Sequence, residues 1–522
     1  MGHIELSGVV GDGHQTRDVL ELARLGKVPV LKRNFGFMSM LAFSCTVMIT
    51  WEAVLFLFVI SFMNGGLAGS VYGFIFAWLG TLSVFATMGE LASMLPTAGG
   101  QYHWISRLAP PSTRKFLSYL VGWLTVTGWQ AVVASGGFIC ANLIQGMAVL
   151  GNPNYTPKPW ETTLLLWAVI FLAVFINTIV SRALPKIESL IMILHIVGFF
   201  AILIPLVYMA PQGKASDVFT VFMNGGGWPT TGLSFFIGLL GPVFAFGGAD
   251  GAVHMSEEIK NASVVVPRAM VFSIMLNGIM GFGMLLAVLF SIGNVDEVLK
   301  SDTGYPFLAI FQQGVSSTGG ALAMAGIITT LAIVAIISWI ASASRMLWSF
   351  ARDRGIPGWR LVSSVNERNS IPVIAILVTT VIACLLSLIN IGSSVAFNDV
   401  VALSVNGLYT SYLIGNGLLL WRRLAGHIHN SSEPEDSSLG IEKLSWGLWR
   451  LPEPIGTFNN AFGCAFLLIV LTFSCFPAEN HPTSSTMNYV VVMEGGILIC
   501  AVIYYLIWGR KTYKGPVIEV EL

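Results

Sequence analysis

Three titratable side chains lie within long apolar stretches of this sequence. Glu52 follows Trp51 in the first stretch, His195 lies in a second, and Asp250 lies in a third. Carboxylates and imidazoles are costly to bury in apolar surroundings, and there they commonly bind protons, cations or polar ligands. A hydrogen bond from Glu52 to a neighbouring helix and simple packing of His195 are the alternatives that the sequence leaves open.

The third stretch also carries a run of small residues. Residues 247–251 read Gly-Gly-Ala-Asp-Gly, which makes a poor helix interior. A break here would free backbone N–H and C=O groups to bind a carboxylate, an ammonium group or an ion, whereas close packing of small residues is the alternative. Aromatic faces nearby suit a cation. The predicted binding residues are Thr50, Trp51, Glu52, Ala53, Phe244, Phe246, Gly247, Gly248 and Asp250.

Composition places these residues in a membrane. Only 10% of the 522 residues are charged, against about 25% in soluble domains, and 55% are hydrophobic. The formal net charge is zero, which argues against nucleic acid as a partner. A soluble enzyme and a disordered chain are excluded too. We expect an all-α polytopic membrane protein. Its predicted partner is the lipid bilayer that surrounds it.

Apolar runs of about 20 residues predict membrane-spanning helices. The longest polar stretch between the predicted spans, 422–457, is too short for a catalytic domain, so the membrane part must carry the function. The twelve predicted spans are 37–62, 67–94, 116–148, 162–181, 187–210, 231–257, 268–292, 320–350, 371–391, 397–421, 458–476 and 487–508.

The basic residues indicate the orientation. With both termini in the cytoplasm, 24 Lys and Arg residues fall on the cytoplasmic side, and only Lys158, Lys214 and Lys300 fall outside. Asn154 begins an Asn-Tyr-Thr sequon on the outer side and is a predicted glycosylation site.

Several motifs are missing from the sequence. It contains no nucleotide-binding GxxxxGK[ST], no HExxH or His/Cys metal cluster, and no Ser/His/Asp grouping. A TVGYG filter is also absent, which argues against a channel. We therefore expect a secondary transporter that is not an enzyme and needs no cofactor or metal.

The two unusual stretches, around Glu52 and Asp250, are five predicted spans apart. Such spacing is typical of two inverted five-helix repeats. The predicted organisation is a cytoplasmic tail (1–36), a first repeat (37–210), a second repeat (231–421), a cytoplasmic loop (422–457), two added helices (458–508) and a C-terminal tail (509–522).

Four strings carry a resemblance to a known family. They are the Asn-Gly-Gly segment at 64–73, Gly-Glu-Leu-Ala-Ser-Met-Leu-Pro-Thr-Ala-Gly-Gly-Gln-Tyr at 89–102, the segment at 250–267 with His-Met-Ser-Glu-Glu, and the segment at 343–353. Over about residues 34–510 the chain resembles the amino acid–polyamine–organocation superfamily, in its fungal amino acid/choline/GABA permease branch.

The resemblance implies a LeuT-like five-plus-five fold with broken helices 1 and 6. It also implies import across the fungal plasma membrane, usually driven by protons. Proton-coupled relatives place a Lys in helix 5, seven residues after an acidic position. Here Glu188 plus seven is His195, which matches the position but not its chemistry. An imidazole relays protons near neutral pH, so His195 is the predicted proton-coupling residue.

The predicted function is import of an amino acid, GABA or choline by proton symport. An exchanger, an exporter of an amine or amino acid metabolite, and a non-transporting nutrient sensor remain alternatives. Glu257 and Glu258 are the predicted inner gate, paired with basic residues such as Arg107, Arg182 or Arg345; a solvated helix end is the alternative reading.

Overall fold

The computed structural model describes residues 13–392, 394–429, 444–484 and 486–520. Helices account for nearly all of the regular structure, and a parallel pair of two-residue strands, β1 (Ile428–His429) and β2 (Leu444–Ser445), joins the ends of one connection. The helices up to residue 254 are α1 (Gly13–Arg24), α2 (Phe37–Met48), α3 (Thr50–Phe56), α4 (Phe58–Met94), α5 (Gln101–Leu108), α6 (Arg114–Gly151), α7 (Pro159–Thr178), α8 (Leu184–Met209), α9 (Ala215–Thr220), α10 (Thr231–Ile237), α11 (Leu240–Ala245) and α12 (Gly251–His254).

The remaining helices follow a short turn at Ser256–Glu258. They are α13 (Ala262–Phe290), α14 (Val295–Leu299), α15 (Pro306–Val315), α16 (Thr318–Arg352), α17 (Trp359–Val362), α18 (Val373–Ser387), α19 (Ile389–Gly392), α20 (Ser394–Leu424), α21 (Ile455–Ser474), α22 (Val490–Tyr504) and α23 (Arg510–Thr512).

Ten helical segments of the described residues are long and apolar enough to cross a membrane, and α10 with α11 forms a shorter apolar one. The prediction of an all-helical, multi-span chain is therefore confirmed, whereas the count of twelve and the repeat stay predictions. The closest pairings join α6 to both α16 and α20, and α4 to α13.

Helix 1 is interrupted at Ile49. This residue adopts a left-handed conformation (φ 39°, ψ 45°) between α2 and α3, which is rare for a β-branched residue. Helix 1 continues into α4 as far as Gly66, where φ is 67° and the chain kinks into helix 2. A Cβ at Gly66 would lie 2.6 Å from the backbone nitrogen of Met223, so only glycine fits this turn.

Helix 6 is interrupted between α11 and α12. Residues 246–250 form turns instead of a helix, and Gly248 has a φ of 93°. A Cβ at Gly248 would also lie 3.0 Å from Cγ1 of Val47 in α2, so glycine lets the two interrupted helices approach closely. The breaks in helices 1 and 6 therefore face each other.

The first and last segments that the structure describes pack on one end of the bundle, which we call the tail face. It is formed by α1, the α12–α13 connection and residues 513–519. The Phe35 amide donates to the Glu258 carbonyl at 3.1 Å, and the Val28 amide donates to the Glu519 carboxylate at 2.9 Å. The polar composition of residues 1–36 predicts a tail, whereas residues Gly13–Arg24 form the helix α1.

Candidate substrate and proton site

A narrow cavity of about 30 Å³ lies between the two helix breaks. This volume holds one or two water molecules, so the helices must move apart to admit a larger ligand. Among the described residues no charged side chain lines it, so its walls offer backbone groups and aromatic faces. The lining residues are Val47, Met48, Ile49, Ala53, Phe56, Val132, Phe244, Gly247, Gly248, Trp339, Ser404, Val405, Leu408 and Tyr409.

Four of the nine predicted binding residues line this cavity, namely Ala53, Phe244, Gly247 and Gly248. The structure places the other five behind its wall. Thr50 is fully buried in the first turn of α3. The ring of Phe246 packs against Phe74 at 5.1 Å between centroids.

Trp51 and Glu52 point away from the cavity and meet His195 on α8. Nδ1 of His195 lies 2.7 Å from Oε1 of Glu52 and 3.2 Å from Nε1 of Trp51. All three side chains are fully buried. Nδ1 can donate to Glu52 or accept from Trp51, but it cannot do both at once. The pair therefore has two hydrogen-bonding arrangements that differ in where the proton sits.

Asp250 also points away from the cavity. Its Oδ2 accepts hydrogen bonds from Gln101 Nε2 at 2.8 Å and Trp129 Nε1 at 3.2 Å. Nε2 of His254 lies 3.4 Å from the same oxygen. The sequence reading did not single out Gln101, Trp129 or His254 as site residues. The His-Met-Ser-Glu-Glu string contained His254, and its spacing of four from Asp250 was the available signal.

Two aromatic residues that were not predicted from the sequence donate hydrogen bonds to carbonyl groups beside the breaks. Trp339 on α16 donates to the carbonyl of Val47, just before the break in helix 1, at 2.7 Å. Tyr409 on α20 donates to the carbonyl of Val243, just before the break in helix 6, at 3.2 Å. Both carbonyls belong to helix ends at a break. The Val243 carbonyl also accepts from the Phe246 amide at 3.2 Å, so Tyr409 adds a second bond there.

Glu188 is a third buried carboxylate near helix 1. It accepts hydrogen bonds from Thr46 Oγ1 at 2.7 Å and Ser338 Oγ at 2.8 Å, so it joins α2, α8 and α16. In the described part of the chain, no Lys, Arg or His forms an ion pair with it. Hydroxyl partners can serve either protonation state of a carboxyl group.

The predicted gate residues form ion pairs at the tail face. Arg352 binds Glu257 through two hydrogen bonds of 2.9 and 2.6 Å, and Arg345 binds Glu258 at 2.7 Å. Of the three predicted partners, Arg345 is therefore found, whereas Arg107 and Arg182 do not pair with these carboxylates. We call these two ion pairs the tail-face gate after their predicted role, which stays a prediction.

Asp353 forms a further buried ion pair next to the tail-face gate. Its carboxylate lies 2.5 Å from Lys27 Nζ and accepts from the Tyr102 hydroxyl at 2.7 Å. Burial raises the pKa of Asp353, but the charges of Lys27 and Arg352 outweigh it and bring the pKa below its usual value. Asp353 is therefore ionised at neutral pH.

Two further predicted features can be located. Asn154 is exposed in the connection between α6 and α7, at the end of α6 remote from Lys115, which binds the Arg510 carbonyl near the tail face. Among the residues that the structure describes, no group of three or more His, Cys, Asp or Glu side chains could hold a metal ion.

Comparison with known proteins identifies the family. The sequence profile of the amino acid permease family matches residues 35–499. The chain belongs to this family. It is thus a member of the amino acid–polyamine–organocation superfamily, a multi-pass membrane protein and a transporter, not an enzyme.

Relatives of this permease come from fungi and plants. A Macrophomina phaseolina protein, described by name as an amino acid/polyamine transporter, is 32% identical over 86% of this chain and 96% of its own length. The choline transporter of Saccharomyces cerevisiae is 29% identical over 92% of this chain and 83% of its own. Amino-acid permease BAT1 of Arabidopsis thaliana is 28% identical, covering 96% of both.

Proposed function

We propose that this permease imports a small amino-containing solute, an amino acid, GABA or choline, by proton symport. The observation that carries the proposal is the cavity between the two helix breaks, with buried acid–imidazole pairs directly behind its wall. The names of two relatives, a yeast choline transporter and a plant amino-acid permease, support choline or an amino acid as the substrate.

The lining of the cavity favours a substrate with an ammonium group. Phe56, Phe244, Trp339 and Tyr409 provide aromatic faces, which attract cations. The C-terminal ends of α2 and α11 add negative backbone ends, and the adjacent half-helices offer N–H groups to a carboxylate. These aromatic faces and backbone ends suit a zwitterion or an organic cation. The cavity wall carries no fixed charge that would repel either of them.

Proton coupling rests on Glu52 and His195. Their 2.7 Å contact is buried, one residue removed from Ala53 in the cavity wall. A proton taken up by this pair changes the charge behind the substrate site, so proton binding and substrate binding affect each other.

The proposal includes the architecture. Twelve spans in two inverted repeats, 37–210 and 231–421, would pair the break at Ile49 with the break at residues 246–250. The tail face then lies in the cytoplasm of a fungal cell, Asn154 lies outside and can carry a glycan, and the membrane is the plasma membrane. The excess of basic residues in the predicted inner loops supports this orientation.

Uptake in a transport-deficient yeast strain tests the proposal. Cells expressing the permease receive radiolabelled amino acids, GABA and choline, with and without a protonophore. We expect at least one of these solutes to accumulate and the protonophore to abolish its accumulation. Uptake that resists the protonophore but is stimulated by solute loaded inside would instead establish an exchanger.

A pair of tryptophan variants tests the cavity in the same assay. Trp339→Phe keeps a ring in the wall but removes the donor to Val47, so the KM of uptake should rise about tenfold, equivalent to a lost hydrogen bond of roughly 1.4 kcal/mol. Trp421→Phe makes the same change at an exposed position and should leave KM unchanged. Equal KM values for the two variants would remove Trp339 from the substrate site.

A further inference from the structure

The contacts of His254 decide which of its two ring nitrogens carries the hydrogen. Its Nδ1 lies 2.9 Å from the carbonyl oxygen of Ala98. A carbonyl oxygen has no hydrogen to give, so Nδ1 must be the donor. In a neutral imidazole the other nitrogen, Nε2, then presents a lone pair. That nitrogen lies 3.4 Å from Oδ2 of Asp250, and both side chains are fully buried.

A lone pair facing an ionised carboxylate in a buried site is repulsive, since neither atom supplies a hydrogen. One added proton, on Nε2 or on the carboxyl group, turns this repulsion into a hydrogen bond or an ion pair. We propose that Asp250 and His254 together bind one proton in this conformation, and that this proton links the substrate cavity to the tail-face gate. The proposal rests on the proposed function and names a second proton site within it.

The groups around the pair do not supply that proton. Glu257 and Glu258 are bound by Arg352 and Arg345. The remaining titratable groups on the elements around the pair are Cys45 on α2, His103 and Arg107 on α5, Arg268 on α13, and Tyr409 and Tyr412 on α20. Among the described residues, none of these cations forms an ion pair with Asp250. The Tyr412 hydroxyl faces the Asp250 carboxylate and can donate a hydrogen bond to it, but it keeps its proton in doing so.

A short chain of contacts joins the pair to the gate. The carbonyl of Ala98 accepts from His254, and its amide donates to Oε1 of Glu257 at 3.3 Å. Glu257 in turn holds Arg352. Both polar backbone groups of Ala98 therefore bind side chains that follow the break in helix 6.

The pair also lies close along the chain to the wall of the substrate cavity. Asp250 lies two residues after Gly248, which lines the cavity. A proton that stabilises the pair therefore stabilises the contact at Ala98 and keeps the tail-face gate closed. Opening the gate at Ala98 removes the partner of Nδ1 and releases the proton toward the tail face, because binding and conformation are linked.

Substituting Asp250 by Asn removes the carboxyl group that shares the proton. The amide oxygen, placed where Oδ2 lies, can still accept from Gln101 and Trp129, and it faces Nε2 of His254 without a charge. His254→Gln is the second variant, because its amide can still donate to Ala98. His103→Gln is the matched control: burial and then the charge of Lys27 lower the pKa of His103 to about 3, so this imidazole stays neutral in the tested range.

Infrared difference spectra of the purified, substrate-free protein in nanodiscs test the site between roughly pH 5 and pH 8. We expect the wild type and His103→Gln to share a carboxyl or imidazolium protonation band that is missing from Asp250→Asn and from His254→Gln, whereas the band of the Glu52–His195 pair remains in all four proteins. Identical spectra from all four proteins would overturn the proposal. This measurement needs no transport, so it separates this proposal from the proposed function.

Uptake then tests the link to the gate. Among variants that elute as intact protein, Asp250→Asn and His254→Gln should show uptake that no longer varies with external pH, whereas His103→Gln should keep the wild-type profile. A wild-type profile in either site variant would contradict the link.

Discussion

The buried carboxylates of this permease fall into two groups with different partners. In the interior, Glu52 and Asp250 face imidazoles, and Glu188 faces two hydroxyl groups. At the tail face, the carboxylates face Arg or Lys side chains instead: Glu257 with Arg352, Glu258 with Arg345, and Asp353 with Lys27.

The partner decides what each group can do. Arg and Lys stay charged across the physiological pH range, so the tail-face pairs are fixed clamps. An imidazole can change its charge in that range, and for this reason we propose the interior pairs as the proton carriers. The difference suggests a division of labour, in which protons act in the interior and permanent ion pairs hold the tail face closed.

The largest effect is expected at the tail face. Lys27→Met leaves the fully buried Asp353 without its nearest cation, which should cost about 3–5 kcal/mol of stability. Because the pKa of Asp353 is lowered in the folded state, the stabilisation is fully present above the usual Asp pKa of about 3.9 and is lost as pH falls through the lower folded value. The melting temperature of the detergent-solubilised protein should therefore fall at neutral pH.

A double variant provides the control for that clamp. Lys27→Met with Asp353→Asn removes both charges, and it should recover most of the lost melting temperature, because no charge is left buried and unpaired. If Lys27→Met melts like the wild type, the tail-face pairs are not clamps.

In the interior, we expect a smaller effect on stability and a large effect on transport. Glu52→Gln keeps the size of the side chain and removes its charge, so uptake of a cationic substrate should fall by at least about tenfold, or 1.4 kcal/mol. The melting temperature should change little, since the amide can still hydrogen-bond to Nδ1 of His195. Normal uptake by this variant would place Glu52 among the structural residues.

His195→Gln sharpens the same comparison. It removes the titrating partner of Glu52, so the residual uptake should lose its dependence on external pH. Retained pH-dependent accumulation would remove His195 from the coupling mechanism.

Much of the fold could be predicted from the sequence. Long apolar runs give the helices, and the Gly-Gly-Ala-Asp-Gly run gives the break in helix 6, because glycine weakens a helix wherever it stands. The break at Ile49 lies inside the predicted helix 1, one residue before the predicted binding residues that begin at Thr50. A left-handed isoleucine has no local sequence signal, since only its packing holds it there.

The directions of the side chains could not be predicted. Trp51, Glu52 and Asp250 were expected in the cavity wall but point behind it. The helices that carry them are apolar on every side, so periodicity does not tell which face meets the cavity. Past the break in helix 6, the direction of Asp250 depends on the backbone at Gly248, whose φ of 93° no sequence pattern specifies.

The central claim is that protons held by the interior acid–imidazole pairs move with the substrate. Purified permease in liposomes loaded with a pH-sensitive dye tests it directly, with the solute identified by the uptake panel added outside. The account predicts that the lumen acidifies as labelled substrate enters, and that an inward proton gradient drives accumulation. Substrate entry with an unchanged lumen pH would contradict it.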